Sequence, residues 1–130
     1  MSRFTLAALG LSMALGALVG APAPAHALLT GECKEVELQF KNETGSKVDV
    51  PRQGHRMRNK GSLESWNKLE LGASKNGLAN GSSWSSVNDL TIKCVSDAEF
   101  EIKWSDAKGD HTKIFASVDI SDKKAVFTLK

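Results

Sequence analysis

Short runs of alternating apolar and polar residues, turn residues between them, and two lone cysteines predict an all-β fold. The expected architecture is an immunoglobulin-like antiparallel β-sandwich of about seven short strands with one disulfide, Cys33–Cys94. Residues 1–27 are expected to be a cleaved signal peptide and residues 28–130 a single sandwich domain.

The first segment has the order of an export signal. Arg3 is followed by an apolar run from Phe4 to Gly20, by Ala-Pro-Ala-Pro at residues 21–24, and by the small-x-small site Ala25-His26-Ala27. The apolar run is 17 residues with three glycines, short of the roughly 20 apolar residues that a membrane span needs. No stable membrane anchor is expected, and the compartment is periplasmic or extracellular. Loss of Arg3 takes the formal net charge from +2 to +1. Such a balance gives no pull toward nucleic acid and no polybasic stretch for a lipid surface.

Strands follow in order. Val36, Leu38 and Phe40 alternate with charged or amide residues, and Asn42-Glu43-Thr44-Gly45 forms a tight turn in which Gly45 is free to take positive φ. Val48 and Val50 repeat the alternation. Residues 52–62, with Arg52, His55, Arg56, Arg58 and Lys60, read as a long loop. Leu63, Trp66, Leu69 and Leu71 have a spacing that also admits a short helix, and residues 72–83 are rich in turn formers. Leu90, Ile92 and Cys94 form the next run, then Phe100, Ile102 and Trp104, whose partners Glu99 and Glu101 should face water. The loop 105–110 leads to Ile114, Ala116, Val118 and Ile120. Residues 121–124 then turn the chain into Phe127 and Leu129.

Two thiols in an exported chain default to a disulfide. It closes a loop of about 62 residues, for which chain entropy gives roughly 4 kcal/mol. Neither cysteine has the close neighbour that a structural metal site uses. With Cys33 on the first strand and Cys94 on a later one, the bond should tie distant strands.

The order of these features resembles a family of small exported bacterial β-sandwich proteins of unknown function. The resemblance rests on Leu38-Gln39-Phe40-Lys41-Asn42-Glu43-Thr44-Gly45, on Ser65-Trp66 and Leu71-Gly72, on Leu78-Ala79-Asn80-Gly81-Ser82-Ser83 before Cys94, on Asp106 to Gly109, and on Val118-Asp119-Ile120. These are turn and core residues, so the resemblance implies a small β-sandwich and no particular activity.

Catalysis finds little support. There is no G-x-S-x-G, P-loop or H-E-x-x-H, and no tyrosine; a disulfide would also remove both thiolates. The expected function is therefore an exported, non-enzymatic binding or interaction module without a cofactor, acting as a monomer on a protein or glycan. Its candidate contacts are Arg52, Arg56, Arg58 and Lys60, which suit carboxylate or phosphate, and the tryptophans Trp66 and Trp84. One alternative is a periplasmic copper or other metal carrier using His55, Met57 and His111, an imidazole–thioether set suited to copper. Another is a membrane-active, cytolysin-like sandwich, which would need an exposed aromatic cluster. The loop 106–110 resembles a calcium loop in composition only.

Overall fold

The computed structural model describes residues 32–60 and 65–130; the expected signal peptide and Leu63 lie outside them. The described residues hold nine strands and no helix: β1 (Cys33–Asn42), β2 (Val48–Val50), β3 (His55–Asn59), β4 (Asn67–Leu69), β5 (Lys75–Leu78), β6 (Ser83–Leu90), β7 (Ala98–Asp106), β8 (Gly109–Val118) and β9 (Lys124–Leu129). They form two sheets. Sheet I has the order β6-β1-β9, and sheet II runs β4-β3-β7-β2-β5 with β8 on the opposite edge of β7. The sheets pack as a sandwich through their apolar faces. Phe127 of β9 lies 5.5 Å from Phe40 of β1 within sheet I, and 5.2 and 5.0 Å from Phe100 and Phe115 across the gap.

The strand count exceeds the expected seven because three strands lack an apolar alternation. β3 occupies the stretch read as a loop: His55 and Met57 point inward and Arg56 and Arg58 outward. A basic outer face and a histidine on the inner one disguise the period of two. β4 stands where a helix was admissible, and β5 within the turn-rich segment. One pair also departs from the antiparallel pattern, since β9 runs parallel to β1 from Glu37↔Lys124 to Asn42↔Leu129.

β8 corrects the expected phase. Phe115, opposite Phe100, faces the core, whereas Ile114, opposite Glu101, is 53% exposed. A bulge sets two residues, Ala116 and Ser117, against the single Glu99 of β7, with Ser117 at φ 60°, and this one extra residue returns Ile120 to the interior. One residue of slip flips every following side chain to the other face.

The disulfide joins Cys33 to Cys94, as expected, with Cα atoms 5.0 Å apart. Cys94, however, follows the end of β6 rather than lying on a strand. Because Cys33 pairs with Leu90 in the β1–β6 ladder, the bond clamps neighbouring strands where the chain leaves sheet I for sheet II.

Asn42, at the end of β1, is fully buried and uses its whole side chain. Its Nδ2 donates to the carbonyls of Ser46 (2.7 Å) and Leu78 (2.8 Å), and its Oδ1 accepts from the backbone N–H (2.9 Å) and hydroxyl (2.7 Å) of Thr44. Gly81 N–H donates to the Asn42 carbonyl, and Asn80 Oδ1 accepts from Gly45 N–H. Both glycines hold positive φ, 94° and 87°, where a side chain would strain the turn.

Two outcomes follow. Asn42→Ala strands a buried carbonyl and a turn N–H, and should lower stability by about 3 kcal/mol, or about 15 °C in Tm; thermal unfolding followed by tryptophan fluorescence measures it. Cys33→Ser/Cys94→Ser should cost roughly 4 kcal/mol, read from the urea midpoint against the oxidised protein.

Candidate functional site

The basic residues come together on the outer face of sheet II, but as paired charges. In the β3–β7 ladder Arg56 lies opposite Glu101 and Arg58 opposite Glu99. Arg56 grips Glu101 with two parallel bonds, Nε to Oε1 and Nη2 to Oε2, both 2.9 Å. Arg58 Nε donates to Glu99 Oε1 at 2.8 Å. The two glutamates therefore do not simply face water: the Glu101 side chain is only 12% exposed. The Arg56 hydrogen bonds hold the Glu101 carboxyl below its usual range against the opposing effect of burial, with further help from the charges of Arg56 and Lys103.

Trp66 lies beneath this ladder. The Arg58 guanidinium carbon sits 4.2 Å from the ring centroid and that of Arg56 5.1 Å, both within cation–π range. The result is a half-buried indole capped by two guanidinium groups, each anchored by a carboxylate. Ile114 of β8 completes the row beyond Glu101 as an exposed apolar side chain.

The remaining candidates are dispersed. Arg52 approaches Glu70 at 3.5 Å, and Lys60 donates to the Ser117 hydroxyl at 2.6 Å. Beside the ladder, a cleft of about 700 Å³ is lined by Gln53, Arg56, Lys68, Glu70 and Asp89 among others. Trp84 belongs to sheet I. It is half-buried, stacks on Phe40 at 5.6 Å, and closes the core there. Trp104 is buried, as its phase implied. Every tryptophan is thus buried or half-buried, and the large exposed apolar side chains among the described residues are the aliphatic Val87, Ile114 and Val126.

The metal alternative meets a different geometry from the one its residues suggested. His55 is buried, its Nε2 donates to the Pro51 carbonyl at 2.6 Å, and its Nδ1 accepts from Lys103 N–H at 3.1 Å. Both ring nitrogens are occupied in the neutral tautomer. Met57 is core, and His111 stacks on Trp104 with Nε2 3.0 Å from Asp106 Oδ2. Among the described residues no group of three or more His, Cys, Asp or Glu is placed to hold a metal ion.

Glu99 and Glu101 were the missed partners. Their signal was present, since two acids at i and i+2 match two arginines at i and i+2, but strand pairing cannot be read without knowing that 55–59 is a strand.

Burial lowers the His55 pKa from its usual 6.5, and the charge of Lys103 adds to this, while the Pro51 hydrogen bond opposes it. The unfolded chain then binds a proton that the folded one refuses. Stability is full above pH 6.5 and falls as pH drops below it, by at most about 1.4 kcal/mol per pH unit. His55→Gln should flatten the Tm profile just below pH 6.5. The loss due to Glu101, whose carboxyl is held low, should persist in more acid solution because its stabilisation is present above the ordinary carboxylate pKa and disappears below it.

No protein-family model, curated protein or solved structure matches this chain.

Proposed function

We propose that the chain is an exported, non-enzymatic binding module that docks a protein partner on the outer face of sheet II. The observation that carries this reading is the Arg58–Trp66–Arg56 stack with both guanidinium groups fixed by Glu99 and Glu101. Tryptophan and arginine dominate binding energy at protein interfaces. Side chains already held in place lose less freedom on association. The exposed Ile114 adds an apolar contact beside the stack.

Charge narrows the partner. Lys60 and Lys68 lie beside the two neutralised arginines and are exposed, so the charge left over at the ladder is basic. A partner with an acidic rim around an apolar centre would complement it and associate faster at low salt. The Cys33–Cys94 disulfide supports an oxidising compartment.

The test is capture from envelope and medium fractions of the producing cell, using the oxidised protein as bait. A species retained by the native protein should be lost at least about tenfold with Arg58→Ala or Trp66→Ala, and be retained fully by Lys124→Ala on sheet I. Equal retention by all four baits would retire the reading.

A further inference from the structure

A second region of sheet II, at the β7–β8 hairpin end of the same outer face, has a different chemistry. Ser105 of β7 lies in register between Asp49 of β2 and Asp110 of β8, and one step along the strand Lys103 faces Thr112. These residues, with Asn76, help line a cleft of about 360 Å³. Its outer wall is built. Gly77 N–H donates to Asp49 Oδ1 at 2.7 Å, which ties β5 to β2 and sets Asn76 at the rim.

The polar side chains here are otherwise unspent. Among the described residues, those of Asn76, Lys103, Ser105, Asp110 and Thr112 make no hydrogen bond with the protein. This contrasts with the Arg–Glu ladder on the same face, where each charge has its mate. The cleft offers acceptors (Asp49, Asp110), a donor (Lys103) and groups that do both (Asn76, Ser105, Thr112).

We infer that this cleft is a binding site for a neutral polyhydroxylated ligand, a single pyranose unit of a glycan. A sugar hydroxyl donates and accepts at once, so it needs acceptors and donors side by side. An anion would face two carboxylates against one lysine. A metal ion would face an ammonium group and only two carboxylates. The volume lies at the low end of small-molecule sites, roughly 300–1,000 Å³, which suits one ring rather than a chain. Pro51 provides a less polar part of the lining.

Titration of the isotopically labelled, oxidised protein with glucose, mannose, galactose and N-acetylglucosamine, followed by amide NMR shifts, tests the site. Calcium chloride and sodium phosphate are the competing probes. At least one sugar should move the amides of Asp49, Asn76, Ser105 and Asp110 with a dissociation constant on the order of a millimolar. Asp110→Ala and Asn76→Ala, both at exposed positions, should each weaken that binding about tenfold with an unchanged Tm. The inference is overturned if no sugar moves these amides at about 50 mM, if only calcium or phosphate does, or if sugar binding survives both substitutions. Arg58 and Trp66 take no part, so either result leaves the protein-docking reading to its own experiment.

Discussion

The fold turns on one amide. Asn42 ends the strand at the centre of sheet I, and its side chain holds two carbonyls, one in its own turn and one at the end of β5. Through Leu78 it reaches sheet II, because β5 pairs with β2 there. A buried carbonyl without a partner is costly, so the turn after β1 and the turn before β6 are correct together or wrong together. Asn80 and the two left-handed glycines complete the lock. An aspartate would lack both donors, and a glutamine would carry its amide one methylene too far.

Charge on this molecule is organised by strand pairing rather than by sequence neighbourhood. Four basic residues within nine positions look like a patch, yet each of the three arginines has a carboxylate beside it from a distant part of the chain. Surface ion pairs contribute little to stability in general. Here their effect is chiefly geometric: the carboxylates hold the Arg56 and Arg58 guanidinium groups over Trp66. The outer face of sheet II therefore combines an aromatic, electrically paired half with a polar half in which, among the described residues, Asp49 alone of the cleft's polar side chains on this face is engaged, by Gly77 N–H.

What was legible in the sequence was whatever the core wrote with a period of two. Val36, Leu38 and Phe40, and Phe100, Ile102 and Trp104, announce strands whose inward positions are apolar, and the structure places them so. β3 was hidden because its inward pair is His55 and Met57. The start of β6 was hidden because its inward positions include Ser86 and Asn88, buried polar residues that exist to bind Gly72 N–H. The phase of β8 was misread for another reason: a bulge leaves no mark in composition. The site depended on the pairing of β3 with β7, so of its members only Arg56, Arg58 and Trp66 could be named in advance, and the carboxylates that fix them could not.

The parallel pairing of β9 with β1 bears on how the chain is made. Phe127 touches Phe40, Phe100 and Phe115, so the middle of the interior has no floor until residues 124–129 have been synthesised. Loop closure over so long a stretch is entropically demanding and slow, and no shorter nascent chain holds the aromatic cluster that would reward it. Closure of the aromatic interior therefore waits for β9, although β1 can pair with β6, and β7 with β8, before it.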